Sequence, residues 1–126
     1  MHEKRPKNIQ TGALGEEIAV MFLMKHGFSI LARNFREKCG EIDIVAKKQG
    51  IIHFVEVKTV SRESYMRGED NMHTRKINKV AKTVQMFLLK SGVPHETPFQ
   101  IDGIVVGLDT QASVGRVRLL EHINIL

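Results

Sequence analysis

The residues of this chain best suited to chemistry are two carboxylates and a lysine set in otherwise apolar stretches. Asp43 lies within Glu41–Ala46 (EIDIVA), and Glu56 and Lys58 lie within Ile51–Lys58 (IIHFVEVK). Both stretches read as strands, joined by the polar turn Lys47–Gly50 (KKQG). An even-length turn sets Ala46 opposite Ile51, and therefore Asp43 opposite Phe54 and Glu41 opposite Glu56. Side chains alternate along a strand, so Asp43, Glu56 and Lys58 share one face, the carboxylates one diagonal step and roughly 7–8 Å apart between backbones. Two half-buried carboxylates repel each other unless a cation or a proton lies between them. A divalent metal resolves the conflict, since Mg²⁺ takes oxygen ligands and is held by one or two carboxylates with water and substrate phosphate. Lys58 beside it could stabilise charge on a scissile phosphate or orient the attacking water. The same groups could instead form an internal Asp–Lys–Glu salt-bridge network without catalysis.

The elements that must position these residues follow from hydropathy spacing. A helix is expected from Gly12 to His26, with Leu14, Ile18, Met21 and Phe22 at helical intervals and Gly27 as its C-terminal cap. Residues 1–11 are left as a flexible N-terminal segment and residues 12–126 as one domain. Phe28–Asn34 is a short strand running into a polar turn, Phe35–Gly40, and Thr59–Asn71 reads as a mobile loop. A second helix spans Met72–Lys90 on a core stripe of Ile77, Val80, Ala81, Val84, Phe87 and Leu88. Arg75, Lys79 and Lys82, with Lys76 close by, form a basic ridge on another face of it. Ile101–Leu108 and Arg116–Glu121 are two closing strands. The order α-β-β-β-α-β-β implies an α/β fold with a mixed sheet and helices packed on it.

Composition agrees with one small domain. At 126 residues and 42% apolar content, one compact core is expected. The net charge of +5 is unevenly spread: residues 47–90 hold ten Lys and Arg against four Asp and Glu, while residues 39–46 hold Glu41 and Asp43 and no base. A basic region beside an acidic focus suits phosphate binding around a cation, although a solvated helix face would look similar. Met1–Gln10 is polar and is expected not to be a signal peptide, and no apolar run reaches membrane-spanning length. The single Cys39 favours a reducing compartment, so a cytoplasmic protein is expected.

Other candidates are weaker. The six histidines lack zinc-ligand spacing, and His53, on the face opposite Glu56, reads as a packed or surface residue. Asp102, at the start of a strand, reads more as a turn residue than as a group supporting the site's ligands, and Tyr65 as a loop tyrosine that could stack on a base. Gly12-x-x-Gly15 is a helix entrance without the Lys-Ser/Thr of a nucleotide-binding loop.

Asp43 followed by Glu56-Val57-Lys58 resembles the PD-(D/E)xK nuclease pattern, with Ile42 in place of its proline. The wider set is similar to the YraN-like family of bacterial proteins. It comprises Gly12-Ala13-Leu14-Gly15-Glu16, Gly27-Phe28, Asn34, Gly40-Glu41-Ile42-Asp43 and Phe54-Val55-Glu56-Val57-Lys58, and spans most of the chain. That resemblance implies a restriction-endonuclease-like fold akin to Holliday-junction resolvases, which often work as twofold dimers. It further implies Glu16 as a helix-borne metal ligand, where helical spacing alone leaves Glu16 and Glu17 open. Glu16, Asp43, Glu56 and the Val57 carbonyl would hold Mg²⁺ or Mn²⁺, with Lys58 assisting. Val60 stands where relatives are expected to carry an arginine, and Arg62 is the candidate substitute. Arg62, Arg75, Lys76, Lys79 and Lys82 would grip the DNA backbone without reading sequence. The expectation is a metal-dependent endonuclease acting on DNA, branched or structured forms included; the alternative is a non-catalytic nucleic-acid-binding module on the same fold.

Overall fold

The computed structural model describes residues 7–68, 74–109 and 114–121, with side chains described over 12–68, 80–109 and 115–121. Eight elements run in order: α1 (Lys7–Lys25), β1 (Ser29–Glu37), β2 (Gly40–Lys48), β3 (Ile51–Ser61), α2 (Arg62–Arg67), α3 (Thr74–Ser91), β4 (Phe99–Asp109) and β5 (Val114–Leu120). The strands form one sheet in the order β1-β2-β3-β4-β5. All neighbours are antiparallel except β3 and β4, which are parallel. Parallel neighbours need a crossover, and α2 and α3 supply it.

Each face of the sheet carries its own core. Ala19, Val20 and Leu23 of α1 pack with Ile44, Ala46, Val55, Ile104, Val106 and Leu108 on one face. Val80, Val84 and Phe87 of α3 pack with Ile42, Val45, Ile52, Phe54 and Ile101 on the other. The sheet is covered on both sides, so its inner strands are apolar almost throughout and any charge within them is exceptional. The result is an α/β fold with a five-stranded mixed sheet flanked by helices, consistent with a restriction-endonuclease-like fold. No helix among the described residues is long and apolar enough to cross a membrane.

Several expectations need correction. Helix α1 begins at Lys7, five residues before Gly12. Its exit is as expected: Gly27 adopts φ +88°, its N–H donates to Met24 O at 3.1 Å and the Phe28 N–H donates to Leu23 O at 3.0 Å. This double closure ends the helix because a left-handed residue turns the chain back over the last carbonyls. The polar turn at Phe35–Gly40 is shorter than expected, because β1 continues to Glu37. The stretch read as a mobile loop is structured as far as Gly68, residues 69–71 lying outside the described ones: β3 continues to Ser61, whose hydroxyl caps α2 by accepting the Ser64 N–H at 3.2 Å. Tyr65 therefore lies on a helix, packed so closely on β4 that a Cβ at Gly107 would come within 2.6 Å of it.

The β2–β3 turn has two residues rather than four. Lys48 pairs with Ile51, and Gln49 and Gly50 both take positive φ (51° and 80°). That is the backbone of a tight hairpin turn whose twist matches its strands. Register thus differs by two residues from the expectation, so that the ladder, if continued past Ile44 and Val55, would set Asp43 at the level of Glu56 rather than Phe54. Asp102 is inside β4, not at a turn, and is 1% exposed.

Candidate metal centre at a fork in the sheet

Pairing between β2 and β3 ends at Ile44 and Val55. Beyond that point β2 pairs with β1 as far as Gly40, and β3 pairs with β4 as far as Ser61. The sheet therefore forks where Asp43 and Glu56 would next have met. Alternation also breaks here: Ile42 and Val45 both pack on the α3 side and Ile44 on the α1 side. Strand β1 breaks in step, with Asn34 at φ +52° between Ala32 and Phe35, which pack on the same side. Asp43, released from regular alternation, turns its carboxylate into the fork, where Oδ2 accepts the Val57 N–H at 2.8 Å. A side chain stands in for the ladder acceptor that the divergent strand no longer provides.

Helix α1 brings Glu16 to the same point. The crossing is close because residue 15 is glycine: a Cβ there would overlap Thr59 Oγ1 and lie 3.0 Å from Thr59 Cβ and 3.1 Å from its Cγ2. Carboxylate oxygens of Glu16, Glu41 and Asp43 lie within 4.8 Å of one another. In the orientation that satisfies its amide, Asn34 Nδ2 donates to Glu16 Oε1 at 3.1 Å and to Glu41 Oε1 at 3.2 Å. Glu17 points elsewhere and pairs with Arg33 at 3.0 Å. Of the two neighbouring glutamates, Glu16 is the one that enters the site.

This crowding has an electrostatic consequence. Desolvation raises the Glu16 pKa above 4.5, and the Asp43 charge, a hydrogen bond with Asp43 and the Glu41 charge push the same way against Arg33. Crowded carboxylates repel one another, a divalent cation among them would relieve that repulsion, and an oxygen-only donor set suits Mg²⁺ or Mn²⁺.

The structure brings only some of the expected residues together. Asp43 and Glu16 converge, with Glu41 as the third carboxylate. Glu56, 2% exposed, is outside that trio. Val55 and Val57 pack on the α1 side, so alternation puts Glu56 and Lys58 with Phe54 on the α3 side of the fork. Asp43 links the two sides through its bond to Val57, the residue between them. Arg62 and Lys82 are exposed, Arg62 lying 3.9 Å from Asp109. The side chains of Arg75, Lys76 and Lys79 lie outside the described residues. Glu41 was legible as part of the acidic focus at residues 39–46. Asn34 was legible as part of the family pattern but not as a site residue, because its role depends on a left-handed backbone that no spacing announces.

Comparison with known proteins places the chain. A 98-residue stretch is 44% identical to a UPF0102 protein of Campylobacter jejuni, covering 78% of this chain and 84% of the relative. A UPF0102 protein of Clostridium botulinum is 42% identical over 117 residues, 91% of this chain and 94% of the relative. The profile of the uncharacterised protein family UPF0102 matches residues 15–106, a span that holds Glu16, Asn34, Glu41, Asp43, Glu56 and Lys58. The chain belongs to the UPF0102 (YraN) family.

Proposed function

We propose that this protein is a metal-dependent endonuclease that hydrolyses phosphodiester bonds in DNA. The observation that carries the reading is the fork itself. Three carboxylates converge there, and one of them bonds to the backbone between Glu56 and Lys58. Glu16, Asp43 and Glu56, with the Val57 carbonyl, would hold Mg²⁺ or Mn²⁺, and Glu41 stands close enough to share the load. When bound, the metal supplies Lewis acidity and a water of lowered pKa. The chain's own residues do the rest. Lys58 offsets charge on the scissile phosphate as it develops, and Asn34 holds the Oε1 atoms of Glu16 and Glu41. The basic residues Arg62, Arg75, Lys76, Lys79 and Lys82 grip phosphates and give affinity without sequence preference.

The test is a cleavage panel of linear, nicked, single-stranded and branched DNA with Mg²⁺, Mn²⁺ or EDTA. Wild type should cut at least one form only with metal, while Asp43→Asn should not cut. Lys58→Ala should bind that substrate about as well as wild type yet fail to cut it, since its role lies in the transition state. Absence of metal-dependent cleavage on every form, with Lys58→Ala merely weakening binding, would favour the non-catalytic binding module.

A further inference from the structure

Helix α1 carries Glu16 near its middle and Phe22 near its C-terminal end, with His26 directly after it, ten residues and about 15 Å along the axis from Glu16. At that far end a cleft of about 260 Å³ is lined by residues including Phe22, His26, Phe28, Lys48, His53 and Glu121. Its base holds a buried polar pair that the metal site does not use. His53 is 6% exposed and Asp102 1% exposed. His53 Nδ1 donates to Asp102 Oδ2 at 2.6 Å, and Asp102 Oδ1 accepts from Gln100 Nε2 at 2.9 Å. With Nδ1 committed, Nε2 is the only polar atom the ring has left. Among the described residues it takes no hydrogen bond, and His53 lines the cleft. In its neutral form, a cleft-lining imidazole whose Nδ1–H is held by a carboxylate keeps Nε2 as an acceptor.

The walls say what such an acceptor would meet. Phe22 and His26 stack with centroids 4.2 Å apart, and His26 is fixed by donating Nδ1–H to Phe22 O at 2.8 Å. Phe28 stands edge-on to His53 at 4.9 Å, with Lys48 Nζ 5.0 Å from its ring centre. Glu121 and Gln49 add polar groups to the lining. Aromatic walls, a buried acceptor and a cation together match a planar heterocycle that donates an N–H and carries an anionic tail. The volume lies just under the roughly 300 Å³ at which drug-sized pockets begin, so it suits one nucleotide and no longer strand.

We propose that this cleft binds a single nucleotide, its base against Phe22, His26 and Phe28 with an N–H on His53 Nε2, and its phosphate on Lys48. The choice of a nucleotide rests on the phosphodiesterase reading; the cleft itself does not. On a DNA substrate it would take an unpaired base about 15 Å along α1 from Glu16 at the fork, which favours substrates with unpaired nucleotides over intact duplex.

The experiment is NMR titration of the metal-free full chain with deoxynucleoside 5′-monophosphates, the matching nucleosides, inorganic phosphate and benzyl alcohol. Imidazole resonances of His26 and His53 are the readout. Nucleotides should shift both rings with saturation in the millimolar range, nucleosides more weakly, and phosphate or benzyl alcohol alone should leave His53 unmoved. Lys48→Ala should weaken nucleotides about threefold and leave nucleosides unchanged, as expected for an exposed charge contact. His53→Gln keeps a donor for Asp102 and should weaken both classes about tenfold. Should that variant fail to fold, the nucleotide-against-nucleoside split of Lys48→Ala decides alone. No shift with any nucleotide, or equal shifts with phosphate or benzyl alcohol, overturns the proposal. Glu16→Gln should bind nucleotides like wild type, so the two readings fail separately: loss of cleavage leaves the cleft standing, and an empty cleft leaves cleavage standing.

Discussion

Asp43 has two jobs at the residue scale, and they can be separated. Its Oδ2 accepts the Val57 N–H, a bond that the side-chain carbonyl of asparagine can also accept, and its charge belongs to the group with Glu16 and Glu41. Asp43→Asn should therefore leave the apo protein at least as stable as wild type while abolishing the rise in melting temperature that Mg²⁺ or Mn²⁺ gives, because only the native site binds the ion. Strong destabilisation together with no metal effect in wild type would mean a structural network instead. Glu16 adds a pH dependence. Its folded pKa is raised above 4.5, so the folded chain retains a proton that the unfolded chain releases. That group adds no penalty below about pH 4.5. It costs stability progressively as pH rises from there through the raised folded value, and the penalty persists above it. Comparing denaturation midpoints across this range, Glu16→Gln should flatten that decline, and saturating Mg²⁺ should do the same in wild type. An unchanged profile in Glu16→Gln would show that the decline has another source.

At the scale of elements, the crossing of α1 over β3 sets how far Glu16 reaches. Gly15→Ala would gain helix propensity in isolation, but its Cβ would meet three atoms of Thr59. Rotating one hydroxyl does not clear them all, so α1 must move outward. The expected cost is about 1–3 kcal/mol with a weakened metal response. Adding Thr59→Ala, which removes Oγ1 and Cγ2, should recover much of that loss. A coupling free energy near zero in the double-mutant cycle would place the strain elsewhere. The β2–β3 hairpin offers a second check. Gln49 holds φ 51°, a conformation that asparagine tolerates better than glutamine. Gln49→Asn should raise stability by roughly 0.5 kcal/mol, measured by urea unfolding, without changing the slope of free energy on denaturant.

Across the whole molecule, one sheet separates two cores and its fork opens between them, so a ligand at the fork would touch residues from both sides. Basic charge is concentrated in residues 47–90, the stretch from the hairpin through α3. If that stretch holds phosphates, log affinity for DNA should fall linearly with log salt concentration. Replacing Lys79 and Lys82 together with alanine should make that slope shallower by roughly two units and weaken all sequences alike. A slope unaffected by the pair would move the DNA to another surface.

Much of this arrangement was present in local sequence. Strand and helix identities follow from spacing: α1 and α3 each bury an apolar stripe, and the parity of the β2–β3 turn follows from alternation around a polar break. The hairpin that brings Asp43 near the Glu-x-Lys strand was legible for the same reason, but its contact there, Oδ2 on the Val57 N–H, lies where pairing has ended and alternation breaks. Local patterns could not supply what depends on chains meeting at a distance. Helix α2 is six residues long with no buried side chain of its own, so no periodicity marks it; it is held by a cap and by Tyr65 on Gly107. The carboxylate trio needs a fork, and a fork is a difference in partner between two strands, invisible in either one. The His53–Asp102 pair joins residues on β3 and β4, parallel strands whose register is set only when α3 has crossed over to place them side by side. Residue type and alternation determined which charges would stand within the strands; strand pairing decided which of them meet.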